Sequence, residues 1–205
     1  MIKKLLWINL FGFMLLNGGL AHAISPAKQQ VMEMSRQINQ HLLAGGKEAA
    51  NDLFLQQFDM SKFGKRCLID HWDSFTSLEK KRALALLFKN LSKQAREKNF
   101  FVRDDNHFEL LPQKEIKTAD GILEMKTFLE TPRKRFSLSL FLAPHQGGFQ
   151  IVDYEVEGAL LSRNYRGHFN YLIRKYGKAG FFERLEKKLH ASLTKPGYIG
   201  RSKGK

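Results

Sequence analysis

The sequence predicts an α+β fold: N-terminal helices, an antiparallel meander of about four strands, and two C-terminal helices. Three observations carry that prediction. Apolar residues recur at helical spacing between residues 26 and 95, and again after residue 159. From about His107 to Val156 the period drops to two. No helical run interrupts those strands, so the βαβ alternation of a doubly wound sheet is excluded.

Each element has its own signal. Residues 1–23 stand apart as a secretory signal peptide. Lys3 and Lys4 precede a short apolar run, Leu5 to Leu16, and Ala21-His22-Ala23 is a small-x-small cleavage site. That run is too short to span a bilayer. Export to the periplasm is therefore expected, and removing the leader lowers the formal charge from +14 to +12. A single domain is expected over 24–194, with a basic, disordered tail over 195–205. The one cysteine, Cys67, admits no intrachain disulfide and is expected to be a small buried hydrophobe.

Val31, Met34, Ile38 and Leu42 mark a first helix that Gly45-Gly46 ends. A short helix from Lys47 to about Gln56 follows. Asp59 then caps a third, with Met60, Phe63 and Cys67 on one face. Thr76-Ser77-Leu78-Glu79 is a capping box, and behind it Leu84, Leu87, Phe88, Leu91 and Ala95 form one apolar stripe. In the meander, Leu123, Met125, Thr127 and Leu129 share a face, as do Phe136, Leu138, Leu140 and Leu142. Pro144 to Gly148 is a turn, and Phe149 to Val156 the next strand. Two helices, near 159–175 and 178–193, close the chain. With 17 Phe in the chain, the apolar faces could pack as a filled core or enclose a cavity.

Little in the sequence points to catalysis. There is no G-x-S-x-G elbow and no glycine-rich phosphate loop. The histidines at 41, 71, 107, 145, 168 and 190 lack metal-ligand spacing, so no metal and no cofactor are expected. Asp70-His71 is an adjacent pair, and adjacent residues rarely make a working dyad. Asp153, Glu155 and Glu157 share a strand face roughly 6.5–7 Å apart, a spacing that some carboxylate pairs use in hydrolysis. The opposite face, Val152, Tyr154 and Val156, is apolar, so the acids are expected to face water or basic neighbours such as Lys134 or Arg135. The basic clusters Lys80-Lys81-Arg82 and Arg133-Lys134-Arg135 read as solvated surface. For an exported chain, anionic headgroups or acidic protein surfaces are more natural counterparts than nucleic acid, which is not expected as a partner.

Residues 147–189, from Gly-Gly-Phe-Gln through "VDYEVEGALLSRNYRGHF" to the last helix, resemble the C-terminal signature of the MlaC family. The matching positions are Gly148, Ile151 or Val152, Asp153, Glu157-Gly158, Asn164-Tyr165-Arg166 and Phe169. Upstream, "FDMSKFGKRCLIDHW" and "TSLEKKRALALLFKNL" resemble two further family segments. Phe149 stands where the family usually has Trp, and Leu160 where it usually has Ser, which marks a divergent member.

The resemblance implies a non-enzymatic, soluble periplasmic phospholipid carrier. It would shuttle lipid between an outer-membrane MlaA-type lipoprotein complex and the MlaD-type subunit of an inner-membrane ABC transporter, maintaining outer-membrane lipid asymmetry. The bound phospholipid is then cargo. On this reading the lipid-binding side chains are Leu123, Met125, Leu138, Leu140, Leu142, Val152, Tyr154 and Val156, with Tyr165 and Phe169 from the following helix. The alternatives are a small-molecule enzyme or binding protein on a cone-shaped α+β fold, with Tyr165, Arg166 and the strand acids at its pocket, and an adaptor with a solid core.

Overall fold

The computed structural model describes residues 24–97, 109–131 and 134–191. The expected leader at 1–23 and basic tail at 195–205, with His107 and Arg133, lie outside the described residues.

Helix α1 spans Pro26–Leu43, with Ser25 as N-cap accepting the amide of Lys28 at 3.1 Å. Its stripe of Val31, Met34, Ile38 and Leu42 is buried. Helix α2 spans Lys47–Gln56. Helix α3 spans Met60–Cys67, capped by Asp59, which accepts the Lys62 amide at 2.9 Å. A 3-10 turn at Trp72–Ser74 leads into α4, Ser77–Glu97. The capping box forms as expected: Glu79 N–H donates to Thr76 Oγ1 at 3.2 Å, and Thr76 N–H to Glu79 Oε2 at 2.7 Å. The buried stripe of α4 is rotated from the expected one. Ala83, Leu86, Leu87, Leu91 and Ala95 are buried, whereas Phe88 is 40% exposed. Leu86 takes the place the spacing gave to Phe88 because α4 is flanked by α2, α3 and α5 and buries a wider arc.

The sheet has five strands in sequential antiparallel order: β1 Glu109–Lys117, β2 Leu123–Glu130, β3 Arg135–His145, β4 Gly148–Val156 and the two-residue β5 Ala159–Leu160. The meander of about four strands is thus present, with a short fifth appended. Its inward face is set by register. Met125 pairs with Leu140, Thr127 with Leu138, and Leu140 with Tyr154. Helix α1 is tied to both sides of the sheet. Gln30 Nε2 donates to Phe149 O at 2.6 Å, Phe149 N–H donates to Gln30 Oε1 at 2.9 Å, and the Ser35 hydroxyl accepts Leu110 N–H at 2.9 Å.

Strand β4 is bulged. Phe141 pairs with Asp153 but Leu142 with Ile151, so Val152 is the extra residue. Beside the bulge the Ile151 backbone bonds to the α2–α3 link: its N–H donates to Gln57 O at 2.8 Å, and its O accepts Asp59 N–H at 2.9 Å. The α2–α3 link thereby covers one end of β4, and β5 covers the other. Glu157 (φ 50°) and Gly158 (φ 80°) form the two-residue turn into β5. The spacing predicts a helix near 159–175 directly after this strand, but the turn closes a hairpin with β5 first.

Helix α5, Leu161–Ala191, runs where two helices were expected. Gly177, at φ 66° and ψ 179°, breaks it near the expected place, so it acts as two helices end to end. One apolar cluster joins residues from all five helices with the inward residues of β1 to β4.

Candidate functional site

A cavity of about 420 Å³ opens between the helices and the end of the sheet. Phe54 and Leu55 come from α2, and Phe58 from the link after it. Leu91, Gln94 and Ala95 come from α4, and Tyr154 and Val156 from β4. Ala159 of β5 and Leu161, Asn164, Tyr165, His168 and Lys188 of α5 complete the wall. Its volume falls in the range of roughly 300–1,000 Å³ typical of small-molecule sites.

The deep wall is aromatic and rigid. Tyr154 meets Phe54 and Phe58 edge-on, with ring centroids 6.1 and 6.0 Å apart. Tyr165 stands edge-on to Phe63 at 6.1 Å and lies 5.4 Å from Phe169, which packs on Phe181 at 5.1 Å. The Tyr165 hydroxyl accepts a hydrogen bond from Gln94 Nε2 at 3.0 Å, and that amide also donates to Asn90 Oδ1 at 2.7 Å. Burial pushes both tyrosine hydroxyls up in pKa, so neither is an anion or an available base at neutral pH. The rim is polar: Asn164, His168 and Lys188 are exposed. Burial, and then the nearby Lys188 charge, hold the His168 imidazole below its ordinary value.

Of the residues expected from the sequence, Tyr154, Val156 and Tyr165 border this cavity. Met125, Leu138, Leu140, Leu142 and Phe169 lie in the buried cluster, and Leu123 packs half-buried against it. Val152 is fully buried but stands outside that cluster, because the bulge gives its inward place to Ile151. Most of the wall comes from helices that alternation along strands could not reveal. Its trace in the sequence was Phe54 and Phe58 at i, i+4, then Leu161, Asn164, Tyr165 and His168 at i, i+3, i+4, i+7.

The strand acids require a correction. Asp153 does not face water: it is 0% exposed. It lies on the face opposite Tyr154, where the return through β5 lays the start of α5 over it. Its Oδ1 accepts the amides of Tyr154 at 3.0 Å and Ser162 at 3.1 Å, and Arg66 lies 3.9 Å from Oδ2. Burial pushes this carboxyl up, against the downward pull of those amides and of Arg66. Glu157 is exposed, and its Oε1 accepts Ser137 N–H at 2.6 Å. Arg135 pairs with Glu130 at 2.8 Å rather than with the strand acids. Asp70 accepts from Asn170, while His71 Nε2 is buried with no hydrogen-bond partner among the described residues, and no Asp70–His71 hydrogen bond forms there. Cys67 is buried, and burial pushes its thiol up, which leaves it unreactive. Among the described residues no group of three or more His, Cys, Asp or Glu could hold a metal ion, and no helix is long and apolar enough to cross a membrane.

Residues 27–187 match the MlaC protein family. The chain belongs to the MlaC family. Its fold is shared with a phospholipid-binding protein from Ralstonia solanacearum, solved in complex with a phospholipid. The TM-score is 0.70 at 16% identity, over 83% of this chain and 100% of that one. No curated protein matches the chain. In this MlaC chain the Asn164-Tyr165-Arg166 motif divides across its helix. Tyr165 enters the cavity wall, Asn164 sits at the rim, and Arg166 borders a cleft on the other side.

Proposed function

We propose that this protein is a phospholipid carrier, with the acyl portion of its cargo held in the cavity beside Tyr154, Val156 and Tyr165. The observation that carries the reading is an apolar, aromatic-walled cavity with a polar rim, in a chain of the MlaC family. The phospholipid bound by the Ralstonia solanacearum protein of the same fold supports it.

Physical chemistry makes such a cavity sufficient. Each buried methylene contributes about 0.8 kcal/mol, so ten contribute about 8 kcal/mol before the losses of association. No metal and no ionised nucleophile is needed for that, and the buried tyrosines serve as apolar surface. Lys188 and His168 at the rim lie where a phosphate could meet them.

The carrier would be exported through the leader at 1–23 and work in the periplasm, exchanging phospholipid with an MlaD-type subunit of an inner-membrane ABC transporter and an outer-membrane MlaA-type complex. The leader pattern, the family and the cavity support this reading, which would help maintain outer-membrane lipid asymmetry.

Mass spectrometry of an organic-solvent extract of the purified protein tests it. Co-purified phospholipid, and uptake from vesicles by stripped protein, are expected. Val156→Glu, which places a charge in the cavity wall, should lower occupancy at least about tenfold while the fold persists. Absence of lipid in the extract together with no uptake would overturn the carrier reading.

A further inference from the structure

A second cleft, of about 530 Å³, lies back to back with the apolar cavity. The two share one stretch of chain. Ala159, Leu161 and Tyr165 face the cavity, while Leu160, Ser162 and Arg166 face the cleft. The cleft is lined by Lys62, Lys65 and Arg66 of α3 and by Arg163 and Arg166 of α5, with Asp120 as its one acidic wall residue.

Three acids answer part of that charge. Asp59 lies 3.4 Å from Lys62; Asp120 and the buried Asp153 lie 3.4 and 3.9 Å from Arg66. Both terminal nitrogens of Arg66 thus face carboxylates, Nη2 towards Asp120 and Nη1 towards Asp153, which holds its guanidinium in the cleft wall. No acidic partner stands within ion-pair distance of Lys65, Arg163 or Arg166 among the described residues. Three guanidinium groups and two ammonium groups thus converge on a concave space from two helices, over an apolar floor of Ile122 and Leu160. Planar forks of this kind match the oxygens of a phosphate in pairs.

We propose that this cleft is a phosphate-binding site, separate from the cargo cavity, that takes the phosphoryl oxygens of a phosphate mono- or diester between Arg163 and Arg166, with Lys65 beside them. Concavity favours a compact anion over a flat acidic protein surface. The phosphate could be a free ester or a lipid headgroup at a membrane surface. The site stands on its own residues, whether or not the cavity carries lipid.

Calorimetric titration with inorganic phosphate and with glycerol 3-phosphate tests the free source. Co-sedimentation with phosphatidylglycerol vesicles tests the membrane source. Arg163→Gln/Arg166→Gln is expected to weaken phosphate binding about tenfold or more, the worth of one charge-assisted hydrogen bond. Arg163→Lys/Arg166→Lys, which keeps charge but loses the forks, should fall between and guards against a folding defect. Cavity loading, read by mass spectrometry, should be unchanged in both, so failure of the cleft and failure of the carrier reading are seen separately. Binding to vesicles alone, lost in the Gln variant, assigns the headgroup as the source. The site is overturned by absence of binding to inorganic phosphate, glycerol 3-phosphate and the vesicles alike, by an equal loss in the remote pair Lys47→Gln/Lys187→Gln, or by tighter binding of poly-glutamate than of phosphate.

Discussion

Asp153 is the residue whose surroundings matter most. It accepts two amides, from β4 and from the first turn of α5, and sits beside Arg66 of α3. Three elements that frame the cavity and the cleft therefore meet at one buried carboxyl. Because burial raises its pKa, the folded state holds the proton more tightly than the unfolded chain does. Its contribution to stability is full below the unfolded value of about 3.8 and is lost as pH rises through the raised one. Asp153→Asn keeps an acceptor for both amides and removes this titration. Melting temperatures of the two proteins measured from pH 4 upward should diverge, with the parent losing stability relative to the variant. Parallel curves would show that Asp153 does not titrate in that window. The surface acids Glu33, Glu79 and Asp120, all shifted down, act in the opposite direction and are common to both proteins.

At the scale of the element, helix signals were legible and strand detail was not. Asp59 and the Thr76–Glu79 box cap their helices as their local chemistry dictates, since capping needs partners only three residues away. The bulge at Val152 left no such local trace. It sits where the α2–α3 link, about ninety residues earlier in the chain, bonds to the Ile151 backbone. Alternation read along β4 alone therefore put Val152 inward and Asp153 in water. Gly177 falls between the two helices that the spacing predicts near 159–175 and 178–193. Its φ and ψ lie in a region open essentially to glycine alone, and it splits α5 where the second half turns Phe181, Phe182 and Leu185 onto the core. Gly177→Ala should cost about 1–3 kcal/mol, a fall of several degrees in Tm by calorimetry. An unchanged Tm would mean that the break is not imposed by the backbone at that residue.

For the whole molecule, the cavity and the cleft are products of assembly. No single element owns either: the cavity draws on α2, α4, β4, β5 and α5, and the cleft on α3, the β1–β2 turn, β5 and α5. A protein whose cavity is filled by cargo in the folded state alone must gain stability by mass action. Stripping lipid should therefore lower Tm by about 5 °C or more, and reloading from vesicles should restore it. Equal melting of stripped and loaded protein would argue against the carrier reading. The sequence by itself determined the α+β class, the capped helix starts and the order of the main strands, because periodicity, caps and turn residues act over a few neighbouring positions, and its quoted motif segments carried the family resemblance. Tertiary structure alone decided which apolar residues border empty space and which are packed solid, that Phe88 is exposed, and that Asp153 is buried. Those outcomes depend on which distant surfaces meet, and hydrophobic burial, being non-directional, does not specify that from a residue and its neighbours.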